Sequence, residues 1–396
     1  MTPLDNGIIY LEDLPLNKLY IELQDNLFQL LDSQIRSFGI HKLARTLQIS
    51  KRILCHWLSK NSLIRLDVLK TVCEHFQLDY QDKIVFIRGR DGGGIYNPKF
   101  PLDFTTCAGV RVIAGILGDG GISIKLNPYY MNSDSNIFNG FMLDISSVLG
   151  NIPYFSEKRP RKNTLLTIVT FPRFLSSIFL LLGIKPGKKV ETNPHIPLFI
   201  FSLQQEQKYA LLSQFIDDEG TVNTASYHIS ISSACLEKYP ESHLLKDIQH
   251  LLISLNLLSS IYPRNVYPSK RGEPRRNWRL QLGGQLQLKQ LYANLSLRSQ
   301  IKSNNLLQIL NSYILTVFRR KDIDKTYFNF MQKIQQSKGY FTSIDLAKIT
   351  GRDVGSCRNT IIKYRKRNLI KCIKPYTSGD YHDYGQYVVT IDENNR

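Results

Sequence analysis

Apolar positions along this chain follow two rhythms, a helical one and an alternating one. Residues 1–85 read as helical. Between His41 and Leu78 the spacing predicts a helix-turn-helix. Leu43, Ala44 and Leu47 line one helix, Gln48, Ile49 and Ser50 make the turn, and Ile53, Leu54, Trp57 and Leu58 give the next helix an inward stripe. Ser50 stands where it can cap that second helix. The stretch Arg88–Pro101 is rich in Gly and Pro, breaks the periodicity and predicts a linker over 86–104. A glycine-rich phosphate loop is the alternative there, but the Gly-Lys-Ser/Thr ending of such a loop is missing.

From residue 105 the order helix, strands, helix, strands, helix occurs twice. In the first pass a helical run over Arg111–Gly121 leads to a strand over 121–126, a helix over 137–150, a strand over 165–171 and a helix over 174–184. In the second, a helical run over Ala210–Val222 leads to a strand over 228–232, a helix over 244–257, a strand over 278–284 and a helix over 286–297. An order repeated at matching offsets indicates an internal duplication, with repeats over 105–202 and 203–315. Residues 322–396 begin anew with a helix over Phe328–Gln335 and a second helix-turn-helix over Phe341–Ile373. A turn at Thr377–Asp380 and a strand over 386–390 then complete the layout of a winged helix. The predicted fold class is α+β, with two αββαββα-type repeats flanked by small helical domains at 1–85 and 322–396.

Each repeat opens on an apolar helical run that stops at an acid followed by glycine, Asp119-Gly120 and Glu219-Gly220. Ala114 and Gly118, four apart on one face, let a second helix backbone come close. Gly120 and Gly121 would end the helix through conformations that glycine adopts easily. A carboxylate at a helix C-terminus faces the negative end of the macrodipole, and two brought together repel. A divalent cation offsets both costs, and paired carboxylates at one spot are what such an ion needs to act on a phosphodiester. Gln214 and Asp218 take the places of Ala114 and Gly118 and are bulkier, so the second helix departs from a small-residue contact. Asp217 and Asp218 are placed outside the primary metal site.

These paired motifs resemble those of the LAGLIDADG, or dodecapeptide, homing endonucleases in their single-chain form. Phe171–Lys189, Asn193–Phe201, the second motif and the ending over 278–297 follow in the order found in that family, so the resemblance covers roughly 98–313. It implies a pseudo-twofold core whose strands form a saddle on DNA. It also implies Mg²⁺ or Mn²⁺ held by Asp119 and Glu219, and a basic residue near the scissile phosphate, for which Lys158 and Lys270 are chosen. The implied activity is site-specific double-strand cleavage at a long pseudo-palindromic site by a monomer. The chain's ends lack an intein's Cys or Ser nucleophile and its His-Asn junction, while an excised or intron-encoded origin stays open.

A net charge of +18 over 396 residues points to a polyanionic partner, double-stranded DNA. Candidate DNA contacts are Lys51, Arg52, His56 and Lys60 in the first helix-turn-helix, and Lys125, Arg159, Arg161 and Lys162 in the first repeat. Arg264, Arg271, Arg275, Arg276 and Arg279 in the second repeat, and Arg358 and Lys363 in the winged segment, complete the set. The apolar run Phe174–Leu182 is too short to span a membrane. Six scattered cysteines with no paired spacing fit a reducing, cytoplasmic setting rather than zinc or disulfides. Two other functions remain on the same scaffold: a DNA-binding transcriptional regulator that has retired its catalysis, and an RNA maturase. The retained acids Asp119 and Glu219 favour the nuclease.

Overall fold

The computed structural model describes residues 4–90, 92–161, 164–268, 273–312, 323–375 and 385–390. The chain is α+β. Its amino-terminal part contains β1 (Ile8–Ile9), β2 (Leu19–Leu23), α1 (Asp25–Phe38), α2 (Ile40–Thr46), α3 (Lys51–Leu58), β3 (Ile64–Arg65), α4 (Leu66–Phe76), β4 (Ile84–Gly89), β5 (Gly94–Tyr96) and β6 (Leu102–Asp103). The helix-turn-helix expected at α2 and α3 forms, with Leu43, Ala44, Leu54, Trp57 and Leu58 buried. Ile53 departs from the expected stripe and is 37% exposed. Ser50 sits at the cap position but makes no side-chain capping bond.

The all-helical reading of 1–85 and the linker at 86–104 both need correction. Strands β2, β3, β4 and β5 form one antiparallel sheet in the order β3-β2-β4-β5. These strands are short, and long-range pairing rather than local pattern decides them. The glycines of the supposed linker serve the β4–β5 hairpin. Gly92 and Gly93 turn it at φ of +78° and +66°. A Cβ on Gly94 would lie 2.5 Å from the Ile87 carbonyl oxygen, so glycine is needed for close pairing.

The two repeats have the same topology. The first runs α5 (Cys107–Leu117), β7 (Gly120–Ile122), β8 (Pro128–Asn132), α6 (Ser135–Leu149), β9 (Phe155–Arg161), β10 (Thr164–Thr170) and α7 (Leu175–Leu181). After a short α8 (Lys189–Thr192), the second runs α9 (Gln205–Glu219), β11 (Gly220–Asn223), β12 (His228–Leu236), α10 (His243–Ser254), β13 (Ser260–Tyr267), β14 (Arg275–Gly283) and α11 (Gln285–Asn294). The sheets are ordered β7-β8-β10-β9 and β11-β12-β14-β13, the same permutation of first, second, fourth and third strand. The sequence reading missed β8, β9, β11 and β13. β9 is charged and β13 is almost wholly exposed, so neither announces a strand, while β8 and β11 are only five and four residues long, too short for their alternation to stand out.

The chain divides into two compact units. One comprises 1–220, 231–280 and 294–299, so the amino-terminal module and the first repeat belong to one body. The other comprises 221–230, 281–293 and 300–396, and includes α12 (Gln300–Ser312), α13 (Ile323–Lys338), α14 (Ser343–Thr350), α15 (Val354–Lys366), β15 (Ile370–Lys374) and β16 (Gln386–Val389). Its carboxy-terminal part carries α13, α14 and α15, followed by the paired strands β15 and β16. Thr342 and Asp345 form a capping box at the start of α14, Gly351 ends that helix at φ +65°, and Asp353 caps α15. Met331, Phe341, Leu346, Cys357 and Ile361 fill the core beneath the β15–β16 ribbon. The turn at Thr377–Asp380 lies outside the described residues.

The motif glycines also differ from expectation. Neither Gly120 nor Gly121 adopts positive φ; both already belong to β7. Glycine is required there for space. A Cβ on Gly120 would lie 2.8 Å from the Gly115 carbonyl oxygen, and one on Gly220 only 2.5 Å from that of Ile216. The strand therefore leaves each helix by folding back against its last turn. Gly220→Ala is expected to cost about 1–3 kcal/mol through overpacking, read as a lower urea midpoint at unchanged slope. An unchanged midpoint would refute the steric account.

Candidate functional site

The site is built where α5 and α9 end. The two helices pack against each other, and both are buried along most of their length, Gly109–Leu117 in α5 and Lys208–Asp217 in α9. Thr106 caps α5 by accepting from the Gly109 N–H at 3.1 Å. Gly115 faces Phe141, whose ring would be 2.4 Å from an added Cβ, and Phe141 stacks on Tyr130 at 3.8 Å between centroids. Gly118 follows α5 and faces Asp218, whose Oδ2 would lie 2.7 Å from a Cβ there. The small residue in the first motif thus makes room for the large one in the second.

The bulk of Gln214 and Asp218 is absorbed by a buried polar network. Asp218 Oδ1 accepts from Tyr130 Oη at 2.7 Å, from Gln214 Nε2 at 3.0 Å and from Asn132 Nδ2 at 3.3 Å. Asn132 Nδ2 also donates to Asp119 Oδ2 at 3.0 Å, so one amide spans the acids of both motifs. Arg298 Nη1 donates to Gln214 Oε1 at 3.0 Å and Nη2 to Asp144 Oδ2 at 2.7 Å, which fixes the orientation of the Gln214 amide. Asp217 has a separate task. It accepts the backbone N–H groups of Arg298 at 2.8 Å and Ser299 at 3.1 Å, and anchors that segment against α9.

Asp218 was read from the sequence as peripheral, yet it is central to this network. Its Oδ2 is buried with no hydrogen-bond partner among the described residues. Burial, reinforced by the charge of Asp119, pushes its carboxyl up to about 8. Burial and Asp218 likewise raise the Tyr130 hydroxyl.

A cation from the chain itself answers the repulsion expected between the two helix ends. Lys189, the first residue of α8, donates from Nζ to the Leu117 carbonyl oxygen at 3.0 Å, the last carbonyl of α5. Burial lowers its pKa, while Glu219, Asp119 and Asp218 pull it back up, so the ammonium lies within the field of all three carboxylates. Lys189 and Glu219 also line a cavity of about 380 Å³, together with Ser232, Ser233 and Asn277. Lys189 was not singled out in the sequence. Its only signal there was a position within the Phe171–Lys189 segment that carried the resemblance.

The chosen basic residues fall elsewhere. Lys158 is exposed on edge strand β9, opposite Thr167 of β10. Lys270, Lys162 and Arg271 lie outside the described residues. Lys125 is exposed in the β7–β8 turn, Arg159 pairs with Glu157, and Arg161 ends β9. Arg264 is exposed on β13. On β14, Trp278, Leu280 and Leu282 face the core, which leaves Arg275, Asn277 and Arg279 on the opposite face. Arg276 pairs with Glu237 at 2.8 Å. Lys51, Arg52, His56 and Lys60 are exposed at α3, where Lys60 pairs with Asp25 at 3.2 Å. Arg358 and Lys363 are exposed on α15.

Among the described residues no group of three or more His, Cys, Asp and Glu side chains forms a cage for a metal ion. What the site offers is two carboxylates at adjacent helix ends beside the buried Asp218 carboxyl. That donor set suits an ion such as Mg²⁺, which takes one or two carboxylates and draws its other ligands from water and phosphate.

No protein-family model matches the chain, and no curated protein matches it.

The raised Asp218 carboxyl predicts a pH dependence. Its folded value near 8 exceeds the ordinary 3.8, so between those limits the folded protein keeps a proton that the unfolded chain releases. Stability should therefore fall as pH rises through that window, by at most about 1.4 kcal/mol per pH unit. In metal-free buffer, Asp218→Asn should flatten the stability profile between pH 5 and pH 8, both on the order of the limits set by linkage. Parallel profiles for the two proteins would refute the assignment.

Proposed function

We propose that the chain is a divalent-metal-dependent DNA endonuclease of the LAGLIDADG type. The observation that carries this reading is the meeting of two duplicated helix ends, where Asn132 bonds both Asp119 and Asp218 and the Lys189 ammonium rests on the last carbonyl of α5. Paired acids beside a lysine ammonium are an arrangement suited to phosphodiester hydrolysis. Two αββαββα repeats in one chain supply the pseudo-twofold that a nearly symmetric DNA site requires. The charge of +18 supplies attraction to the phosphate backbone.

Asp119 and Glu219 would hold the metal ion, with Asn132 keeping the Asp119 carboxylate in place. When bound, Mg²⁺ polarises the phosphoryl oxygen, lowers the pKa of bound water and stabilises the leaving oxygen. Lys189 takes the role first given to Lys158 and Lys270. Its Nζ, fixed on the Leu117 carbonyl, stands beside the acids, where an ammonium stabilises charge developing on a phosphate and can exchange a proton with solvent. The outward face of β14, with Arg275, Asn277 and Arg279, gives the second sheet groups that can reach a duplex.

A regulator that binds DNA without cutting is the second reading. It is favoured by the exposed basic residues of α3 and α15, each on the second helix of a helix-turn-helix. Cleavage of a randomised DNA library with Mg²⁺ separates the two. Wild type should cut a defined site. Asp119→Asn and Glu219→Gln should each slow cutting by about 10²-fold or more while binding the same site, and Lys189→Met should slow it by about 10²-fold. Tight, site-specific binding with no cleavage by wild type would establish the regulator.

A further inference from the structure

The amino-terminal module holds a second feature that the proposed nuclease centre does not use. A cavity of about 460 Å³ opens where the β3-β2-β4-β5 sheet meets the segment joining β10 to α7. Four cations line it, Lys18, Arg65, Arg90 and Arg173, and none of its lining residues among the described ones is acidic; Asp91, between Arg90 and Gly92, lies outside the described residues. Arg65 is bound to Asp67 just outside the lining, with Nε and Nη2 donating at 2.6 and 2.8 Å. Ser176, Ser177, Asn17 and Tyr20 also line it.

The sheet register explains how these groups converge. Tyr20 pairs with Arg65 on one side and Arg88 on the other, and Leu19 pairs with Gly89 at the strand end. Gly89 has no room for a side chain, since a Cβ there would lie 2.9 Å from the Cβ of Phe174. That contact seats the Arg173–Phe174 segment on the end of β4. The hairpin then turns through Gly92, which lines the cavity with backbone at φ +78°. The glycine-rich stretch that broke the sequence periodicity is therefore one wall of a basic cavity.

We propose that this cavity binds a phosphate ester carrying two phosphates, from a nucleoside diphosphate or from successive linkages of a nucleic-acid strand. Arginine forks and a lysine ammonium match several phosphate oxygens, and hydroxyl and amide groups complete their hydrogen bonds. The volume exceeds what two phosphates fill and lies in the range of sites for whole small molecules. Leu19, Leu126 and Phe174 offer an apolar wall for a sugar or base.

The test is calorimetric titration of the full chain, at low salt with EDTA so that the acidic centre takes no part. Three probes are used: inorganic pyrophosphate, a nucleoside 5′-diphosphate, and a short single-stranded oligonucleotide. Saturable 1:1 binding with Kd below about 1 mM is expected for at least one probe. It should weaken about tenfold or more in Lys18→Glu/Arg90→Glu, whose altered side chains are both exposed and leave the core intact. Arg173→Ala should weaken it too, whereas Lys289→Glu/Lys348→Glu, a charge-matched change at exposed positions away from this cavity, should leave it unchanged. A preference for the diphosphate assigns a free nucleotide, and a preference for the oligonucleotide assigns a strand. Absence of saturable binding by all three probes would overturn the proposal, as would equal affinities across wild type and all variants, or equal weakening by the charge-matched control variant.

Discussion

Close approach of α5 and α9 is the constraint on which the rest of the core depends. Each helix must bring its last carbonyls and its terminal carboxylate to the same spot, and each must hand the chain directly into a strand. Side chains are absent where this would fail. Gly115 lets Phe141 and Tyr130 close over α5, Gly118 leaves room for Asp218, and Gly120 and Gly220 let their strands fold back on the preceding helical turn. Packing at interior density leaves no slack for an added methyl at such points. The two sheets start from these exits, so their shared strand order follows from the same junction.

Bringing the helix ends together concentrates negative charge, and the fold meets that cost in two ways. Lys189 places an ammonium on the last carbonyl of α5, within the field of all three acids. Burial of Asp218 favours its protonated form, which removes one charge near neutral pH. The two halves are consequently unequal. Asp119 is tied down by Asn132, whereas Glu219 borders a cavity with Lys189. A duplicated topology here carries two different chemical environments, and the difference arises at the positions where Gln214 and Asp218 replace Ala114 and Gly118.

Around this core the chain adds surfaces of one sign. Basic residues stand exposed on α3, on β13 and on α15, and others line the amino-terminal cavity. In the proposed nuclease, modules of this kind would lengthen the contact with nucleic acid and raise affinity by linkage rather than by a tighter central site. Their exposure also explains how so large a charge is tolerated. The buried Arg111 and the half-buried Arg298 each set a guanidinium nitrogen against a carbonyl or carboxylate oxygen.

Much of this was legible in the chain itself. The duplication, the motif helices, the acids at their ends and the winged tail all follow from hydrophobic period and from acid-glycine punctuation, because a helix must bury one face and must stop somewhere. The sequence also announced the anomaly at Gln214 and Asp218. Tertiary structure alone decided what became of it. Tyr130, Asn132 and Arg298 lie far along the chain from Asp218, and a hydrogen-bond network has no period to betray it. The same holds for Lys189, one lysine among many until the fold sets its ammonium beside the helix ends, and for the glycine-rich stretch, whose first strand, β4, pairs with residues some seventy positions away. Local pattern determines which segments become helices, since their bonds close within a few residues. Only three-dimensional packing determines which side chains share a buried, low-dielectric space, and the chemistry of the site depends on that sharing.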